Sequence, residues 1–250
     1  MSRTASRLLA TATALVLGAG ALGCGLIGQV KQAADNVAAI SNLADRLGKS
    51  GQLTFTADYK DVSGSKDDGK TTTVVQQPPK AAYLGTDGRF ILTEDTLYQC
   101  TGKAGAKVVC HKSPVQTGQL SQADQSAYVS AVAGGGFISA EMALALMTAA
   151  AVVPGVKIAE STATIAGQKS DCLDVTGIPR DQDPNAVTAK EFHVCVSENG
   201  LLTRFKGVGT DDKALGVELT KYSEKVDPQA FVPPKGAQII EDAAPPTPGN

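Results

Sequence analysis

The chain has 250 residues, 23 basic and 25 acidic side chains, 42% apolar residues and no tryptophan. That is enough apolar material for one well-cored domain, or at most two. Aromatics at 4% and the lack of a basic excess argue against a nucleic-acid surface, whether by base stacking or by charge.

The N-terminus has the layout of an export signal. Arg3 and Arg7 supply positive charge, an uncharged Ala- and Leu-rich run follows, and small residues lead into Cys24. Ala21-Leu22-Gly23-Cys24 resembles a bacterial lipobox, in which the cysteine becomes the first mature residue and its thiol carries diacylglycerol. The leucine stands one place later than in the commonest pattern. Two other readings stay open. Ala19-Gly20-Ala21 fits ordinary A-x-A cleavage, and Leu8 to Val30 gives 23 residues without a charge, long enough to span a bilayer. Lipidation alone accounts for an odd cysteine count of five. Removing residues 1–23 as a signal peptide leaves 21 basic against 25 acidic residues, a net charge of −4.

The remaining cysteines are Cys100, Cys110, Cys172 and Cys195. An exported chain meets an oxidising environment in which disulfides persist. Of the three pairings, the local one is preferred, Cys100 with Cys110 and Cys172 with Cys195, because each pair then joins neighbouring strands. Each loop is worth about 3 kcal/mol by the chain-entropy argument, the longer loop slightly more. Zinc is set aside and no metal is expected. No C-x-x-C occurs, and His111 and His193 each lie near a single cysteine.

Val30 to Leu47 reads as an amphipathic helix, with Val30, Ala33, Val37, Ile40, Ala44 and Leu47 at three- and four-residue steps and Gly48 as its stop. From Gln52 the period becomes two. Leu53, Phe55, Ala57 and Tyr59 alternate with polar residues as in a half-buried strand. "TTTVVQQ", "KAAYLG", "RFILT", "TLYQC" and "KAGAKVVC" follow as short strands between tight turns, which predicts an antiparallel meander.

Residues Gly64 to Thr71, "GSKDDGKT", spell the phosphate-binding expression G-x-x-x-x-G-K-[ST]. That motif works only when a helix N-terminus follows and faces the phosphates. Here "TTVV" follows, and Asp67 and Asp68 put negative charge where phosphate would sit. A hairpin loop is expected, and no nucleotide.

After Ser113 the β pattern stops. A helix is expected near Asp124 to Val132, then Gly134-Gly135-Gly136. Ser139 is a candidate N-cap, and Glu141 suits the first turn. Met142 to Val153, "MALALMTAAAVV", is apolar on nearly every side and ends at Pro154-Gly155. It is too short to cross a membrane, so it must be buried, or line an apolar space. Phe137, Ile138, Met142, Leu144, Leu146 and Met147 are the candidate lining of such a cavity.

Strands resume with "VKIAES", "ATIA" and "KSDCLDV". "TGIPRDQDPNAVTAKE" is a polar loop. "FHVCVS" and "LLTRFKG" flank Asn199-Gly200, a strong hairpin signal, and "KALGVELTKY" alternates again. "VDPQAFVPP" is extended at most, and the Pro-rich 241–250 is expected to be disordered. No G-x-S-x-G elbow occurs. His111 and His193 have no partner nearby in sequence, so His193 reads as a strand residue and catalysis is not expected.

This order of elements, with the lipobox-like Cys24 and the closing "AFVPP" at Ala230 to Pro234, resembles exported actinobacterial lipoproteins of the LppX/LprG group and, more broadly, the LolA/LolB-type carriers. The resemblance implies an α+β fold over residues 24–240, with a strongly curved antiparallel half-barrel covered by a few helices. It implies an apolar interior that takes acyl chains of a lipid or lipidated ligand, an acyl anchor such as palmitate in the cell membrane at its extracytoplasmic face, and no cofactor. The alternative is a non-catalytic anchored interaction or sensory module with a filled core.

Overall fold

The computed structural model describes residues 23–64, 68–102, 107–115, 137–151, 153, 155–179, 189–209 and 212–242, with side chains from Ala34 onward. Helix α1 (Gly23–Leu47) leads through a 3-10 turn (Ser50–Gln52) into six strands: β1 (Phe55–Asp61), β2 (Thr71–Gln77), β3 (Lys80–Leu84), β4 (Gly88–Leu92), β5 (Thr96–Thr101) and β6 (Val109–Pro114). Helix α2 (Ala140–Ala151) comes next, then β7 (Lys157–Ile165), β8 (Gln168–Thr176), β9 (Ala189–Ser197), β10 (Leu202–Gly209) and β11 (Ala214–Ser223). A 3-10 turn (Pro228–Phe231) and β12 (Gln238–Glu241) close the chain.

All the strands join one open 12-stranded sheet in the order β12-β6-β5-β4-β3-β2-β1-β11-β10-β9-β8-β7. Neighbours are antiparallel except β12, which runs parallel to β6. The two halves of the meander meet where β1 pairs with β11. The local pairing rule holds within each half, and this long-range seam welds the halves together.

Strand alternation divides the side chains between two faces. Phe55, Ala57 and Tyr59 of β1 are buried on the face that meets the helices, while Thr56, Asp58 and Lys60 point away from it. Val217 and Leu219, Phe205, Val194, and Leu173 and Val175 extend the same buried surface across β11, β10, β9 and β8. "TTTVVQQ" shows why a β-branched run is needed at β2. Val74 joins this main core, while Val75 turns to the far face and packs with Ala82, Ile91 and Phe231. Phe231 belongs to the "AFVPP" segment, whose turn is capped by Asp227 accepting the Gln229 N–H at 2.9 Å. That segment covers β3 and β4 on the face opposite the helices.

Several boundaries differ from the sequence reading. Helix α1 begins at Gly23, seven residues before the expected start, because the uncharged run continues the helix backward. Val37 stays exposed. The buried stripe runs instead through Ile40, Leu43 and Leu47, and Asn36, one turn before Ile40, donates to the Val156 carbonyl at 2.7 Å. "VKIAES" and "ATIA" form one unbroken strand, β7. The strand expected over "KAGAKVVC" starts only at Val109 and continues through "CHKSP", because Cys110 must stand opposite Cys100. β12 was not anticipated. It runs through Glu241, and the Asp242 N–H donates to the Lys112 carbonyl at 2.9 Å, so pairing with β6 extends past the expected boundary at 240. Residues 243–250 and the helix expected near Asp124 to Val132 lie outside the described residues. The motif-like loop joins β1 to β2, so a strand follows it rather than a helix.

Candidate functional site

Helix α2 is positioned from its first turn. The Ser139 hydroxyl accepts the Met142 N–H at 3.3 Å, and Glu141 sits where the helix dipole favours negative charge. Its fully buried stripe is Ala143, Met147 and Ala150. Met142, Leu144 and Leu146 are half-buried against the same core.

Phe137 stands just before the helix and wedges its ring between two tyrosines. It meets Tyr59 edge-on at 5.4 Å and Tyr83 at 5.6 Å. The Tyr59 hydroxyl donates to the Leu202 carbonyl at 2.8 Å. Burial, with smaller contributions from Tyr83, Glu141 and Tyr222, raises its pKa far above the usual phenol value. It is therefore a fixed neutral donor and no base.

Phe137 and Ile138, with Phe55, Tyr59, Val74 and Tyr83, border a partly open recess of about 30 Å³. That volume holds water and not an acyl chain, since ligand pockets run to several hundred Å³. The six expected cavity residues are thus brought to the core but do not line one open cavity. Phe137 and Ile138 border the small space, Met147 is fully buried, and Met142, Leu144 and Leu146 flank it. Ring packing and the close seat of α2 fill what the sequence left open.

Two larger recesses lie elsewhere. A cleft of about 270 Å³ separates α1 from β7 and β8, bordered by Ala39, Asn42, Leu43, Arg46 and Asp171. Arg46 Nη2 donates to Asp171 Oδ2 at 2.7 Å, while its buried Nε has no partner. On the far face a groove of about 400 Å³ is bordered by Val62, Asp174, Glu191, His193, Lys206 and Val208.

Both disulfides join directly opposed residues, Cys100 with Cys110 and Cys172 with Cys195, the local pairing. Beside the second, His193 Nδ1 lies 2.7 Å from Asp174 Oδ1, and its Nε2 lies 3.0 Å from Cys195 Sγ. The sequence reading found no partner for His193. The signal lay in the pairing itself: once Cys172 opposes Cys195, antiparallel register sets Asp174 against His193 two residues along, on the same face. His111 likewise gains Asp242, at 3.0 Å, across the β6–β12 seam. Cys24 has no described side chain, and the acidic loop "RDQDPN" lies outside the described residues. No helix among the described residues is long and apolar enough to cross a membrane.

No family model matches the chain, and neither does any curated protein.

Proposed function

We propose that this is an exported lipoprotein, held by an acyl anchor on Cys24 at the outer face of the cell membrane, that shelters acyl chains of a lipid or lipidated ligand between α2 and the sheet. In this reading the sheet is a curved half-barrel of the LolA type. The observation that carries it is the make-up of α2. A helix of 12 residues, apolar on nearly every side, buries only two alanines and one methionine and packs chiefly against α1 at the edge of the aromatic-lined core. Small and pliable groups make a weak, adaptable seat. Met142, Leu144 and Leu146 supply further apolar surface beside it. Binding proceeds by displacement: α2 shifts, and the chain takes over the surface presented by Tyr59, Tyr83 and Phe137. No proton transfer or nucleophile is required.

A second reading, a non-catalytic anchored module with a filled core, is favoured by the space of about 30 Å³ left under α2. The deciding experiment is mass spectrometry of the protein extracted from its native envelope without exchange of lipid. Co-purifying acyl species, displaced by an added long-chain fatty acid, support the carrier. Protein that is always empty and binds no hydrophobic probe supports the module. Cys24→Ser tests the anchor separately, by release of the protein from the membrane fraction.

A further inference from the structure

On β8 and β9, the face turned away from the helices carries four reactive side chains in two adjacent rungs. Cys172 opposes Cys195, and Asp174 opposes His193. A carboxylate only accepts, so the contact at 2.7 Å takes the N–H of His193 Nδ1. The neutral ring then keeps its lone pair on Nε2, 3.0 Å from Cys195 Sγ. The other disulfide has no such arrangement: His111 follows Cys110 directly and projects to the opposite face, where it bonds Asp242.

We propose that in its dithiol form the chain binds one soft divalent cation, Zn²⁺ foremost, through Cys172 Sγ, Cys195 Sγ and His193 Nε2, and that closing the disulfide expels it. The three ligand atoms lie within 4.8 Å of one another. Tetrahedral zinc, with Zn–S near 2.3 Å and Zn–N near 2.0 Å, wants its sulfurs about 3.8 Å apart and each sulfur about 3.6 Å from the nitrogen. The cysteine Cα atoms are 4.0 Å apart, so once the S–S bond is open, rotation about the Cα–Cβ bonds meets that spacing. Asp174 is the outer carboxylate that fixes the ring of a metal-bound histidine.

The surroundings suit a dication bound by two thiolates. The metal cancels both charges. Arg204, opposite Cys195 on the next strand, is engaged by Glu218, its Nε donating to Oε2 at 2.7 Å. Lys206 stands opposite His193, beside Asp174 and Glu191 in the groove. Both cysteines are at most 1% exposed, whereas the His193 side chain is 26% exposed and borders the groove, which gives the ion a way in and leaves the fourth position to water. The redox step balances. An external disulfide takes two electrons from the two thiolates, its own S–S bond breaks to give two thiolates, the Cys172–Cys195 bond forms, and the cation departs. A dithiol reductant reverses the exchange.

The test uses the full chain carrying Cys24→Ser, reduced with a phosphine, freed of it under anaerobic conditions and titrated with Cd²⁺, whose thiolate absorption reports metal–sulfur bonds. One equivalent is expected to bind with two such bonds, to be displaced by Zn²⁺ and to be released by oxidised glutathione, while the oxidised protein gives no signal. His193→Ala should weaken binding at least tenfold and Asp174→Asn about tenfold, and Cys100→Ser with Cys110→Ser should leave it intact. Absence of the band, equal affinity in His193→Ala, or dependence on Cys100 and Cys110 overturns the proposal. So does a reduced protein whose circular dichroism shows unfolding that Zn²⁺ does not reverse.

Discussion

Phe137→Ala tests both the packing under α2 and the use proposed for it. The ring is 92% buried, its residue exposure being 8%. Returning a buried aromatic side chain to water costs about 1.5–3 kcal/mol. The two edge-on contacts, at 5.4 Å to Tyr59 and 5.6 Å to Tyr83, add about 0.5–1.5 kcal/mol each. The loss should therefore be about 2.5–6 kcal/mol, a range that brackets the roughly 3–5 kcal/mol of Phe-to-Ala changes in cores. Urea unfolding of the oxidised protein reads it as a lower midpoint at unchanged slope. The same change enlarges the small space beneath the helix. If an acyl chain enters there, a fluorescent long-chain fatty acid should bind at least tenfold more tightly to the variant, since part of the opening is already done. A stability loss under about 1 kcal/mol would refute the packing argument. Unchanged fatty-acid affinity in a destabilised variant would refute the entry route and leave the filled-core module.

Three further outcomes follow from particular contacts. Gly200 sits at φ +93°, and a Cβ there would collide with the carbonyl oxygen of Arg46 at the end of α1. Gly200→Ala should cost more than about 2 kcal/mol in a urea melt, because left-handed strain and a backbone clash combine; Asn199→Ala, at the exposed tip, is the control. The hydrogen bonds from His111 and Ser113 hold the Asp242 carboxyl below its ordinary pKa. A depressed carboxyl stabilises the fold above its unfolded pKa and loses that effect as pH falls through the folded value, so the protection factors of β12 amides, taken against the intrinsic exchange rate at each pH, should fall on acidification below the usual carboxylate range, and Asp242→Asn should abolish this dependence. Amides of α2 should exchange with solvent by local opening, well before those of β9 and β10; identical protection in all three would deny α2 independent movement.

The strands were legible where local pattern and pairing agree. "FTADY" alternates and sits half-buried, and Asn199-Gly200 turns the β9–β10 hairpin. The cysteine pairs were legible because each bridges adjacent antiparallel strands. What escaped depends on partners far away in sequence. β12 has only four residues and finds β6 about 130 positions earlier, so nothing local marks it. The seam of β1 with β11 is equally non-local, and its register shifts between Asp58 and Tyr59, which no alternation pattern foretells. Asp174 against His193 was within reach, since the disulfide fixes the register. Whether α2 covers open or filled space was not legible, because composition sets which groups are buried and not how closely two elements approach. That distance depends on how Phe137 seats between Tyr59 and Tyr83.

A filled interior and an acyl-binding role are compatible in energy if the ligand replaces what the helix gives up. The fully buried part of α2 is Ala143, Met147 and Ala150. Two buried methyl groups at about 0.8 kcal/mol each and one methionine at about 1.5–3 kcal/mol put that stripe alone at roughly 3–5 kcal/mol, to which half-buried Met142, Leu144 and Leu146 add. An acyl chain burying a dozen methylenes gains on the order of 10 kcal/mol by the same measure. A ligand that buries this much outweighs the loss of the stripe without one polar anchoring residue. If the protein carries acyl chains as proposed, the Ala-Met-Ala stripe is the part of the helix that keeps the interior closed to water and still yields to a chain.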